Sequence, residues 1–199
     1  AGEGAPSLSR SLIILPAQQV EMDSFFIRQE LPDDAPGISE VHFQAFGQDG
    51  ESRLVTALRD DGIINPNLSL VAVHGDRIIG HILFTPVQIV SGTVESPALA
   101  LAPLGVHQDY QCRGIGAALI ETGLGECRRL GHHIVIVVGH PLYYPRFGFT
   151  VASHAGITAP FPCPDNAFMA LSLKPGALEG IGGMVRYPAA FDAVGAHTS

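Results

Sequence analysis

The sequence predicts an α+β fold, a single mixed sheet with helices on its faces. Three observations predict it. The segment "LSLVAVHGDRIIGHILFTPVQIV" (68–90) is two apolar, β-branched runs around Gly75-Asp76, where a tight hairpin turn belongs, so the first half of the sheet is antiparallel. "ALALAPLGV" (98–106) is apolar throughout, as in a strand covered on both faces. Between it and the β-branched run "HIVIVVG" (133–139) lie a glycine-containing turn and an apolar stripe with helical spacing, so a strand–helix–strand unit follows the hairpins.

Each element has its own local reason. Residues 1–20 are small and aperiodic, with Pro6 and Pro16, and are expected to form a flexible leader to one domain over 21–199. "SFFIRQE" (24–30) is aromatic and β-branched, a first strand. A helix is expected from about Ile38, with Val41, Phe43, Ala45 and Phe46 as its apolar face and Gly47 as its stop. "ESRLVTALRDDG" (51–62) is a second helix, with Leu54 and Leu58 at i, i+4 and Gly62 closing it. After the hairpin, "SGTVESP" is expected to be a loop. Pro103 and Gly105 disturb the next strand: proline cannot donate to a ladder, and both residues favour bulges.

The third helix spans about 114–130; Ile115, Leu119, Gly123 and Cys127 step by four, Leu130 closes the stripe and Gly131 ends it. "HIVIVVG" is a central strand, "HPLYYPRFGF" (140–149) a short aromatic-rich helical segment, "AFMALSL" (167–173) a strand and "GGMVRYP" (182–188) a small extra one.

Composition narrows the function. The chain has 199 residues, enough for one compact domain, and 11 Lys and Arg against 19 Asp and Glu give a net charge of −8. The basic footprint of a nucleic-acid binder is therefore missing. Lys174 is the only lysine, which leaves little scope for Schiff-base chemistry. No apolar run approaches the ~20 residues of a membrane helix. Cys112, Cys127 and Cys163 are odd in number and widely spaced, so neither a disulfide framework nor a metal site is expected, and a reducing cytoplasm is the expected home. His132-His133 reads as a strand entrance, since no third ligand is spaced nearby.

The chemistry begins at "QCRGIGAALI" (111–120). The first amides of a helix have no internal partner and lie at the positive end of its dipole. Glycines let an anion come close to them, so a strand, a glycine turn and a helix start together form a phosphate cradle. A Walker loop is excluded because GxxxxGK[ST] needs a lysine here. A dinucleotide fingerprint is disfavoured, because Gly114-Ile115-Gly116 is followed by Leu119 where the third glycine belongs.

Gln111-Cys112-Arg113-Gly114-Ile115-Gly116 resembles the Q/R-x-x-G-x-G/A motif of the GCN5-related N-acetyltransferases (GNAT). The preceding strand fits that family, and Tyr144-Pro145-Arg146-Phe147-Gly148-Phe149 resembles its Y-x-x-x-G-F element. "GHPLYYPRFGF" and "FPCPDNAFMALSLKPGAL" further resemble a bacterial subgroup, the YhbS-like acetyltransferases, over roughly 20–190. The resemblance implies a mostly antiparallel sheet of six or seven strands, splayed between the fourth and fifth and flanked by about four helices. It implies acetyl transfer from acetyl-CoA to a primary amine of a small molecule or peptide, by direct attack in a ternary complex.

It also implies roles. Backbone groups at Leu104, Gly105 and Val106 would hold the pantetheine arm, and the loop over Gln111, Cys112, Arg113, Gly114, Ile115, Gly116 and Ala117 the pyrophosphate. Tyr144 matches the family tyrosine that protonates the departing thiolate, while Tyr143 is expected to pack. An alkylamine with pKa near 10.4 is neutral in only about one molecule in 2,500 at pH 7, so deprotonation costs roughly 4.6 kcal/mol. A base is needed, yet 98–106 holds no acid where many relatives carry a glutamate. Glu95, His107, His81 and His140 are the candidates, with a water relay as the alternative. The missing acid keeps open a second reading, a non-catalytic acyl-CoA-binding module of the same fold. The expected partners are acetyl-CoA and an amine, with no nucleic acid or membrane and either a monomer or a homodimer.

Overall fold

The structure, a computed structural model, describes residues 24–193. The expected leader at 1–20 lies outside them. The first strand, β1 (Phe26–Gln29), leads through a turn into helices α1 (Ala35–Phe46) and α2 (Gly50–Asp60). Gly47 takes φ 70°, a left-handed C-cap that ends α1 where the sequence places its stop. The hairpin follows as β2 (Ser69–His74) and β3 (Arg77–Ser91), with Gly75 at φ 58° in the turn.

The next strand, β4 (Val94–Val106), begins earlier than expected. "SGTVESP" is a tight hairpin and the start of a strand, because Gly92 at φ 59° reverses the chain and Ser91 pairs directly with Val94. Helix α3 (Ile115–Arg129) and β5 (Ile134–Val138) complete the crossover unit. Then come β6 (Thr150–Val151), β7 (Ile157–Thr158), β8 (Phe168–Ser172), β9 (Gly183–Arg186) and the short α4 (Ala189–Ala193). The sequence reading misses β6, β7 and α4; each is too short to show a period. The segment at 140–149 is a 3-10 turn over Tyr144–Phe147.

The sheet runs β1-β2-β3-β4-β5-β8-β6, with β9 on the far half of β3 and β7 beside β9. Pairing is antiparallel except for β4–β5 and β7–β9. Alternate residues face opposite layers. Leu70, Ala72, Ile82 and Phe84 pack under α3, while Val71, Val73 and Leu83 pack with Ile38 of α1 and with Leu54 and Leu58 of α2. Gly80 lets α3 lie close on β3: an added Cβ would stand 3.0 Å from Leu119 Cδ1.

Two departures from regular pairing prepare the site. The β3–β4 register slips between Ile82 and Phe84, which pair with Leu104 and Leu101, so β4 carries one extra residue at Ala102-Pro103. The parallel β4–β5 ladder joins only Leu99 with Val135 and Ala100 with Ile136. Beyond these residues no ladder joins the two strands.

Candidate active site

The glycine turn delivers β4 into α3 through two left-handed residues, Cys112 at φ 60° and Gly114 at φ 82°. Gly114 is the N-cap of α3, and no side chain caps the helix. The ladder starts with Ala118 N–H donating to the Gly114 carbonyl at 3.0 Å, so the amides of Ile115, Gly116 and Ala117 reach no acceptor among the described residues. Neighbouring side chains turn aside: Gln111 Nε2 donates to the Val106 carbonyl at 3.1 Å, and Arg113 Nη2 to the Asp109 carbonyl at 3.0 Å. A cavity of about 400 Å³ opens onto this turn, lined by Val106, Gln111, Cys112, Gly114–Ala117, Tyr110, Tyr143 and Arg146. Gly116 keeps it open, since a Cβ there would stand 3.1 Å from Tyr143 Oη.

The other predicted residues are placed unevenly. Leu104 and Val106 pack toward α3, while Gly105 faces α1, where His42 lies against it. Tyr144 is buried, with its ring over Gly139, where a Cβ would fall 2.2 Å from Cε2. Its hydroxyl has no hydrogen-bond partner among the described residues, and burial raises its pKa. Tyr143, expected only to pack, reaches the cavity as well as packing edge-on to Tyr144. Arg146 covers its ring at 4.5 Å, a cation that sequence reasoning did not single out.

The base candidates fare differently. Glu95 is exposed at the opposite end of β4 from Val106, roughly 36 Å along the strand at about 3.3 Å per residue, and is paired with Arg186 at 2.8 Å. The structure does not bring it to the loop. His107 is buried, but its Nε2 accepts from Arg77 Nη2 at 2.7 Å and it does not line the cavity at the loop. His140 Nδ1 accepts from the Leu142 amide at 3.3 Å and shapes the turn after β5.

His81 is fully buried within a polar chain. Its Nε2 meets Ser69 Oγ at 2.9 Å and its Nδ1 meets His42 Nε2 at 2.8 Å. Ser69 Oγ and Arg59 Nη2 both donate to Glu30. Sequence reasoning missed His42. The signal was present: His42 lies at i+4 from Ile38 on the stripe of α1 that is buried, while Phe43 and Phe46 are exposed.

This network predicts how stability depends on pH. Burial alone would raise the Glu30 pKa, but the Ser69 and Arg59 hydrogen bonds and the His81 imidazole 3.7 Å away outweigh it and lower the value from 4.5 to about 2. Burial lowers His42 and His81 from 6.5, Glu30 partly opposing it at His81. All three groups hold fewer protons folded than unfolded, so each stabilises above its unfolded pKa and loses that contribution as pH falls. Melting temperature is expected to drop first below about pH 6.5, then again between about 4.5 and 2, where Glu30 accounts for about 3 kcal/mol. Thermal melts from pH 8 to 3 check this; a melting temperature that holds flat down to pH 5 would contradict the histidine part.

A sheet with one parallel pair parted beside an uncapped glycine turn is the architecture of a GNAT-type acetyltransferase. The chain belongs to the Acetyltransferase (GNAT) family, whose sequence model matches residues 35–149. It is 35% identical over 162 residues to the uncharacterized N-acetyltransferase YhbS of Escherichia coli K12, covering 81% of this chain and 95% of that one. It is 40% identical over 154 residues to the uncharacterized N-acetyltransferase YjhQ of the same strain, covering 74% and 84%. The crystal structure of Escherichia coli YhbS in complex with CoA superposes with a TM-score of 0.79 at 34% identity, over 84% of this chain and 92% of that one. A Brucella melitensis GNAT-family acetyltransferase in complex with acetyl-CoA superposes with a TM-score of 0.70 at 34% identity, over 85% and 99%. Among the described residues no helix is long and apolar enough to cross a membrane.

Proposed function

We propose that this acetyltransferase moves the acetyl group of acetyl-CoA to a primary amine of a small molecule or peptide, by direct attack while both are bound. The observation that carries the reading is the free first turn of α3, three amides without acceptors beside a parted strand pair. Such amides suit a diphosphate, and Arg146 on the cavity wall adds a cation. The complexes of the relatives with CoA and acetyl-CoA support the same ligand here.

In this reading the amides of the 111–117 loop hold the pyrophosphate, and β4 backbone at Leu104–Val106, freed from β5, holds the pantetheine arm. Tyr144 donates its proton to the leaving thiolate. Its raised pKa keeps the phenol protonated, and so a donor, throughout the neutral range. Thiol release from acetyl-CoA across polyamines, aminoglycosides, small amines and peptides tests the reaction. Steady turnover is the expected result. Tight CoA binding with no turnover would favour the second reading, a non-catalytic acyl-CoA-binding module, which gains weight from the absence of an acid on β4 near the slot. Tyr144→Phe is expected to lower turnover at least about tenfold, or about 1.4 kcal/mol, with CoA affinity unchanged by calorimetry. A full-rate variant would reduce Tyr144 to packing.

A further inference from the structure

The buried polar chain has a direction, and the direction assigns a base. Glu30, as a carboxylate, can only accept, and Ser69 O–H and Arg59 N–H donate to it. With its only proton committed to Glu30, Ser69 Oγ must accept from His81 Nε2–H across 2.9 Å. Neutral His81 then has its lone pair on Nδ1, so it must accept from His42 Nε2–H across 2.8 Å. The chain therefore ends in a lone pair on His42 Nδ1. That atom is wholly enclosed and has no hydrogen-bond partner among the described residues.

The lone pair is aimed at the bulged strand. A Cβ on Gly105 would stand 2.8 Å from His42 Nδ1 and 3.1 Å from Cε1, so only glycine lets the imidazole lie against β4 there. Gly105 sits between Leu104 and Val106, in the stretch of β4 that has parted from β5.

Resting on the acetyltransferase reading above, we propose that His42 is the catalytic base, its Nδ1 taking the ammonium proton of the acceptor amine beside Gly105, with His81, Ser69 and Glu30 as positioning residues. One amine N–H bond breaks and its electron pair stays on nitrogen, ready to attack the thioester carbonyl. The proton bonds to Nδ1, and the imidazolium is held through Nε2–H by the chain ending on the Glu30 carboxylate. The proton leaves to solvent as product departs. At rest His42 is closed off, with Phe46 of the exposed last turn of α1 stacked on its ring at 6.1 Å, so the amine reaches Nδ1 only when Phe46 swings aside and the imidazole draws back from Gly105. The charged groups facing the pair are Glu30 next to β1, Arg59 of α2, and Asp34 before α1, itself paired with Arg28.

The test has two arms. In protein labelled with 15N-histidine, imidazole nitrogen–proton correlations at neutral pH are expected to show His42 and His81 both protonated on Nε2 alone. A proton on His42 Nδ1 overturns the assignment, and this arm needs neither a variant nor turnover. In the second arm, His42→Gln keeps a donor toward His81 and an acceptor toward Gly105 but cannot take a proton. With whichever amine of the panel turns over, its kcat is expected to fall about 100-fold or more, with CoA affinity by calorimetry unchanged. Because burial holds His42 well below the usual histidine range, the wild-type kcat is expected to hold through about pH 6.5 and to fall only at more acidic pH, and the variant's residual rate to lose that acid limb. A His42→Gln enzyme with wild-type kcat and pH profile overturns the base while leaving the acetyltransferase reading intact. A wild type that turns over no amine overturns both.

Discussion

Replacing Gly114 with aspartate is expected to weaken CoA binding at least about 100-fold, or about 2.7 kcal/mol, in calorimetry. Gly114 is the N-cap of α3 at φ 82°, and a Cβ there would meet nothing within 4 Å, so the side chain has room. Its carboxylate would stand at the mouth of the three free amides and compete for them from within the chain. It would also repel a diphosphate: two unit charges about 4 Å apart interact by roughly 1 kcal/mol in water and about 4 kcal/mol near a protein surface, which brackets the expected loss. Asp tolerates the left-handed region better than most residues, so the fold should persist with a small drop in melting temperature. Gly114→Ala carries the backbone strain without the charge and is expected to bind CoA within a few-fold of wild type. Equal losses in both variants would assign the effect to strain, and normal affinity in Gly114→Asp would remove the cradle from the mechanism.

Gly123→Ala is expected to destabilise the protein by about 1–3 kcal/mol, against the helix propensity that favours alanine by about 1 kcal/mol. Gly123 lies in the middle of α3 on its buried stripe. A Cβ there would fall 2.3 Å from Phe84 Cε2 and 2.8 Å from Cζ, and Phe84 is fully buried under the helix. Relief requires α3 to lift or Phe84 to leave its rotamer, and the first would shift the helix start that forms the cradle. Urea unfolding of the two proteins reads the sign directly. A more stable alanine variant would mean that α3 is free to slide on the sheet.

The sequence revealed the elements whose causes are local. Gly47 and Gly75 fix turns through backbone angles that other residues avoid, and both occur where expected. Pro103 deprives β4 of a donor wherever the chain goes, so the bulge was predictable before any partner strand was known. The stripe Ile115, Leu119, Gly123 and Cys127 is buried as its spacing requires. By contrast, the strand character of Val94–Pro97 comes from pairing with Ser91, Val90, Ile89 and Gln88, which no local pattern announces. The face of α1 differs from its hydrophobicity as well: Phe43 and Phe46 outrank His42, yet His42 is the residue the helix buries.

Sequence alone determined the glycine turn that opens α3 and the irregular strand before it, because glycine and proline act through their own covalent geometry. Tertiary structure decided which side chains meet there. Tyr143 rather than Tyr144 lines the cavity, Glu95 stands at the wrong end of its strand, and His42 meets His81 across 39 positions of chain. Such encounters are set by helix rotation and strand register, which depend on the whole core, and no local spacing encodes them.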